Sequence, residues 1–122
     1  MIKRAIILLL FLASFQGFGQ NNWMQQVDSL CNLSFEAYGD YEFEKAIDFA
    51  DQALLISQKR NFEEGILKSN FYKTIAKEEL SPSSYDPKGM ERLILQLQEA
   101  GFDSEEARAH TFLAGIYSFF GD

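Results

Sequence analysis

The chain has 122 residues, with 18 acidic against 11 basic side chains and a net charge of −7. That length leaves room for one small domain, and the negative field repels phosphate backbones and anionic lipid surfaces, which argues against nucleic acid as a partner. One cysteine, Cys31, cannot form an internal disulfide, so stability must come from packing; a small buried apolar role is the expected one for Cys31, with a reactive or intermolecular thiol as the alternative.

Residues 1–19 stand apart. Lys3 and Arg4 precede the apolar run Ala5 to Phe15, and Gly17 and Gly19 supply small residues at the −3 and −1 positions of a cleavage site. The run of 11 residues is shorter than the roughly 20 a helix needs to cross the hydrocarbon core, so a cleaved signal peptide is expected, with the mature domain spanning 20–122. An uncleaved anchor is the alternative, and in that case the signal segment would be the only contact with a membrane. Loss of Lys3 and Arg4 takes the net charge from −7 to −9. The expected location is periplasmic or extracellular.

The remainder reads as about five helices, with no stretch of strict two-residue alternation. The first, from about Asn22 to Tyr38, carries Trp23, Val27, Leu30, Cys31, Phe35 and Tyr38 on one face. Gly39 is expected to end it in the left-handed conformation, and Asp40 to cap the second helix, about Tyr41 to Gln58, whose inner stripe is Phe43, Ala46, Ile47, Ala50, Ala53 and Leu54. Asn61 with Glu64 has the spacing of a capping box for a third helix that runs to about Leu80 with Ile66, Leu67, Phe71, Tyr72, Ile75 and Ala76 inward. Ser81-Pro82-Ser83-Ser84-Tyr85 breaks the pattern. Asp86-Pro87 restarts a helix with the stripe Met90, Leu93, Ile94 and Leu97, which Gly101 stops. Asp103 with Glu106 repeats the capping-box spacing, and the last helix bears Ala109, Phe112, Leu113, Ile116, Tyr117 and Phe120 before Gly121-Asp122.

The pairs Gly39-Asp40 and Gly121-Asp122 lie two steps of 41 apart. At that spacing Leu30, Phe71 and Phe112 coincide, as do Cys31, Tyr72 and Leu113, then Ser34, Ile75 and Ile116, then Phe35, Ala76 and Tyr117. The even-numbered helices align at 43, pairing Lys45, Ala46, Ile47, Ala50 and Leu54 with Lys88, Gly89, Met90, Leu93 and Leu97. Such recurrence predicts stacked helix pairs, each burying the apolar face of its neighbour, with Ala46, Ala50, Ala53 and Gly89 permitting close approach. An ordinary five-helix bundle is the competing arrangement.

Little in the sequence points to chemistry. His110 is the only histidine, so neither a site with two imidazole ligands nor a histidine relay can be assembled from one chain. Acidic pairs such as Asp48 with Asp51 and Glu63 with Glu64 read as solvated helix surface and first-turn dipole compensation. Asn32-Leu33-Ser34 fits a glycan acceptor pattern but falls inside a helix. The twelve Phe and five Tyr recur at repeat-equivalent positions, which favours core packing over a cofactor pocket. No cofactor or metal is implied, and an enzyme is not expected.

Two stretches carry a family resemblance. Glu105-Glu106-Ala107-Arg108-Ala109 with Phe112-Leu113-Ala114-Gly115-Ile116-Tyr117, and Gly39-Asp40-Tyr41 with Lys45-Ala46-Ile47 and Ala53-Leu54, resemble long-spaced tetratricopeptide repeats from about Val27 to Asp122. The resemblance implies an α-α superhelix of about two and a half repeats, whose first helices line a concave groove that holds a protein or peptide segment. Carried over by position, the groove residues are Gln26, Ser29, Leu33 and Glu36, then Leu67, Asn70, Thr74 and Lys77, then Arg108, Thr111 and Ser118.

The function implied is a non-catalytic protein-interaction module of the cell envelope or exterior. Exported repeats of this kind resemble the sensory front ends of membrane-bound regulators such as histidine kinases, and a chain ending on Gly-Asp reads as the start of a longer protein or as a truncated relative. The alternative is self-association into a homo-oligomer through the last helix, where Phe112, Ile116, Phe119 and Phe120 would lack a covering neighbour.

Overall fold

The computed structural model describes residues 19–82 and 85–119. Among these residues the chain is all-α, with five helices and no strand: α1 Gly19–Gly39, α2 Phe43–Lys59, α3 Glu63–Leu80, α4 Pro87–Ala100 and α5 Asp103–Phe119. The expected signal segment, apart from Gly19, lies outside the described residues, as do Phe120, Gly121 and Asp122. The first helix begins at Gly19, three positions before the expected Asn22, and none of the described helices is long and apolar enough to cross a membrane.

Three of the four connections are the same turn. The amides of Glu42, Phe62 and Phe102 donate to the carbonyls of Ala37, Ser57 and Leu97 at 2.9, 2.9 and 3.0 Å, and those of Tyr41, Asn61 and Gly101 donate to Tyr38, Gln58 and Gln98. This is the Schellman arrangement, in which the residue before the last donor must be left-handed. That residue is Tyr41 (φ 62°), Asn61 (φ 53°) and Gly101 (φ 77°).

The turns revise several sequence expectations. Gly101 stops α4 as expected, but Gly39 is the last residue of α1 without a positive φ, and Tyr41 takes the left-handed place. The residue capping α2 is Glu42, not Asp40; that capping α3 is Phe62, and neither makes a side-chain capping bond. Asn61 serves as the left-handed residue of the turn, and Asp103 is the first residue of α5, behind the Phe102 carbonyl that accepts from Glu106. At α3 and α5 the position before the first helical residue is held by Phe62 and Phe102, which pack, partly buried, against the core from there. The fourth connection cannot repeat the turn, because Pro82 forces Ser81 to an extended φ of −138°. Asp86 and Pro87 start α4 at the positions expected.

The core joins Val27, Leu30 and Cys31 of α1, Ala50 and Ala53 of α2, Phe71, Tyr72 and Ile75 of α3, Met90, Ile94 and Leu97 of α4, and Ala109 of α5. Phe71 and Tyr72 are its largest side chains and sit in the central helix. Helix α3 packs beside α1 on one flank and α5 on the other, α2 lies behind α1 and α3, and α4 lies behind α3 and α5. Ala46, Ala50 and Ala53 are fully buried where α2 approaches its neighbours, and the buried Ser34 hydroxyl crosses to the Ala46 carbonyl at 2.6 Å. Gly65 permits the closest approach of α3: a Cβ there would overlap the Ser57 hydroxyl and come within 2.6 Å of the Phe62 ring. Gly89 has a different role from the one expected, since its missing side chain makes room for the Asp86 carboxylate over the first turn of α4.

Burial follows the 41-residue repeat from α1 to α3: Leu30, Cys31 and Ser34 are buried, and so are Phe71, Tyr72 and Ile75. From α3 to α5 the register is one residue shorter. Asn61 and Gly101 are 40 positions apart, and Gly65 and Ser69 are buried like Glu105 and Ala109. Phe112, Leu113, Ile116 and Tyr117 of α5 are only half-buried.

Candidate functional site

Because α1 and α5 flank α3, the three helices form a trough with α3 as its floor. A cleft of 580 Å³ opens there, within the roughly 300–1,000 Å³ typical of ligand sites. Phe35 and Tyr38, three apart on α1, form one wall. The floor is Ile75, Glu78 and Glu79, which share a face of α3 at steps of three and four, with Pro82 at its end. The opposite wall is Ala107, Arg108, Thr111, Phe112, Gly115 and Ile116 of α5. Gly115 faces open space, since a Cβ there meets nothing within 4 Å.

The polar groups are unevenly placed. Arg108 lies with its guanidinium carbon 3.9 Å from the Phe35 ring centroid and donates to the Tyr72 hydroxyl at 2.5 Å. It therefore ties α5 to both other helices. Burial raises the Tyr72 hydroxyl pKa, and Glu105 adds to this while Arg108 opposes it. At the other end Tyr38 donates to Glu79 Oε1 at 3.0 Å, and burial, then the Glu79 charge, raises its hydroxyl pKa. Glu78 Oε2 is buried with no hydrogen-bond partner among the described residues, and its carboxyl pKa is raised by desolvation and then by Asp86. Lys68 bridges the same three helices, 3.7 Å from both Asp28 of α1 and Glu105 of α5 and 4.7 Å from the Phe102 ring centroid.

Of the groove residues carried over from the family resemblance, the structure brings Arg108 and Thr111 into the cleft. Gln26, Ser29, Leu33 and Glu36 are exposed along α1, as are Asn70 and Lys77 on α3 and Ser118 on α5. Leu67 packs against the core, and the Thr74 hydroxyl is turned to the Asn70 carbonyl at 2.7 Å. The sequence did not point to Phe35, Tyr38, Ile75, Glu78 or Glu79 as lining. In the sequence Phe35, Tyr38 and Ile75 read as core, and the cleft is the outer margin of that apolar stripe. Two acidic residues at the inner edge of a stripe, Glu78 and Glu79, were the available signal.

The remaining candidates lie elsewhere. Cys31 is 3 % exposed, and burial pushes its thiol up to about 12. His110 is exposed, 3.7 Å from Glu106 Oε1 on its own helix. Ser34, the last residue of the glycan acceptor pattern, is buried and bonded to Ala46. No family model, curated protein or solved structure matches the chain, so the cleft's own geometry carries the functional reading.

Proposed function

We propose that this chain is an exported, non-catalytic interaction module that holds a segment of another protein in the trough between α1 and α5, with its helix pairs stacked in the tetratricopeptide manner. The observation that carries the reading is an apolar cleft of 580 Å³ walled by Phe35, Ile75, Phe112 and Ile116 on three separate helices. Covering the half-buried Phe35, Phe112 and Ile116 with a ligand removes apolar surface from water at about 25 cal/mol per Å². Support for a binding role over a catalytic one comes from the polar groups present: Arg108 is engaged with Phe35 and Tyr72, and Tyr38 with Glu79.

The test is a titration of fluorescein-labelled synthetic peptides rich in Leu and Phe, followed by anisotropy, with the parent chain and with Gly115→Trp. Gly115 is a helical position facing open space, so an indole there fills the cleft without displacing the core. The expected result is saturable binding by the parent chain and loss of binding in the folded variant. Equal binding by both would place the peptide site elsewhere.

Self-association is the second reading, favoured by the half-buried Phe112, Leu113, Ile116 and Tyr117 on α5. A mass from light scattering that rises with concentration and returns to the monomer value in Ile116→Glu would select it.

A further inference from the structure

Resting on the peptide-binding reading, we propose that the cleft selects a segment whose apolar side chains are followed by a lysine or arginine, the cation seated against the Glu78 and Glu79 carboxylates. The two halves of the cleft require different chemistry. Phe35, Ile75, Phe112 and Ile116 offer only apolar surface. At the α3 C-terminal end the floor turns acidic at two successive positions, Glu78 and Glu79.

Those carboxylates are not equally satisfied. Glu79 already accepts the Tyr38 hydroxyl at 3.0 Å, while Glu78 Oε2 is buried with no donor among the described residues. A buried acceptor without a donor is costly, and an ammonium or guanidinium in the cleft supplies both the missing hydrogen bonds and the opposite charge once the Glu78 carboxyl turns toward it. Asp86 adds further negative charge nearby, which is one cause of the raised Glu78 pKa, and Lys77 only partly opposes it.

An acidic segment finds no equivalent seat. Among the described residues Arg108 is the one basic residue lining the cleft, and its guanidinium is held on the Phe35 ring and bonded to Tyr72. The net charge of −7 also steers basic partners toward the chain, and a second copy would bring the same excess of negative charge.

The experiment uses the full chain and three labelled peptides, Leu-Phe-Ser-Leu followed by Lys-Lys, Gln-Gln or Glu-Glu, titrated by anisotropy at low salt. The expected order is Lys-Lys over Gln-Gln by about tenfold, as for a charge-assisted hydrogen bond, with Glu-Glu weakest. In Glu78→Gln/Glu79→Gln the ratio of Lys-Lys to Gln-Gln affinity falls below about twofold, and saturable Gln-Gln binding by the variant shows that it retains its cleft. Equal binding of Lys-Lys and Gln-Gln, a preference for Glu-Glu, or a Lys-Lys preference that survives both substitutions overturns the proposal but leaves peptide binding standing. Binding of none of the three, or a dimer in light scattering that peptide fails to dissociate, overturns both.

Discussion

Arg108 on α5 sits 3.9 Å above the ring of Phe35 on α1, spanning α3 and bonding Tyr72 on the way. This side chain thus ties the two walls of the cleft together, as Lys68 does through Asp28 and Glu105. Arg108→Ala removes a cation–π contact of roughly 0.5–2 kcal/mol and leaves a buried hydroxyl without its partner, a cost of roughly 1–3 kcal/mol. Urea unfolding should show a loss of about 2–3 kcal/mol, with a smaller loss for Tyr72→Phe, which removes the hydroxyl along with its need for a donor.

Gly65 and Gly115 are both helical glycines, and they should respond in opposite directions to alanine. At Gly65 the new methyl meets Ser57 and Phe62 at a buried helix contact, and overpacking of that kind costs about 1–3 kcal/mol. At Gly115 it meets nothing, so the higher helix propensity of alanine should stabilise by up to about 1 kcal/mol. Thermal unfolding of the two variants, side by side, checks the pair.

The left-handed residues give a second contrast. Tyr41→Gly relieves an L-residue at φ 62° and should stabilise by about 1 kcal/mol, whereas Gly101→Ala, at φ 77°, should destabilise by a similar amount. Gly39→Ala should be neutral or mildly stabilising, because Gly39 has neither a positive φ nor a neighbour in the way. A loss of stability in Gly39→Ala comparable to that in Gly101→Ala would contradict this account of the turn.

Glu78 makes stability depend on pH in a definite direction. Its folded pKa lies above the ordinary 4.5, so folding favours the protonated form. The contribution is fully present below pH 4.5 and is lost as pH rises through the folded value. Glu78→Gln should therefore be more stable than the parent near neutral pH, and the advantage should vanish on acidification below pH 4.5. A pH series of urea midpoints reads it.

The five helices were legible because their apolar periodicity is strong, and the proline at 82 and the glycine at 101 mark boundaries that no packing overrides. The caps were not. Asn61 and Asp103 have the right chemistry, but Phe62 and Phe102 pack against the core from the position one residue away, so the turn forms around the ring and the polar residue is displaced. The cleft was hidden for a related reason. Phe35 and Tyr38 carry the same apolar signal whether a neighbour covers them or leaves one edge open, and periodicity cannot distinguish the two. The tetratricopeptide resemblance, carried over by position, names Arg108 and Thr111, and both line the cleft.

The most direct test of the binding role is a nitrogen-15 NMR titration of the chain with the Lys-Lys peptide. Amide shifts concentrated at Phe35, Tyr38, Ile75, Glu79, Thr111 and Gly115 are the predicted result. Shifts confined to α2 and the outer face of α4, with those six amides unmoved, would contradict it.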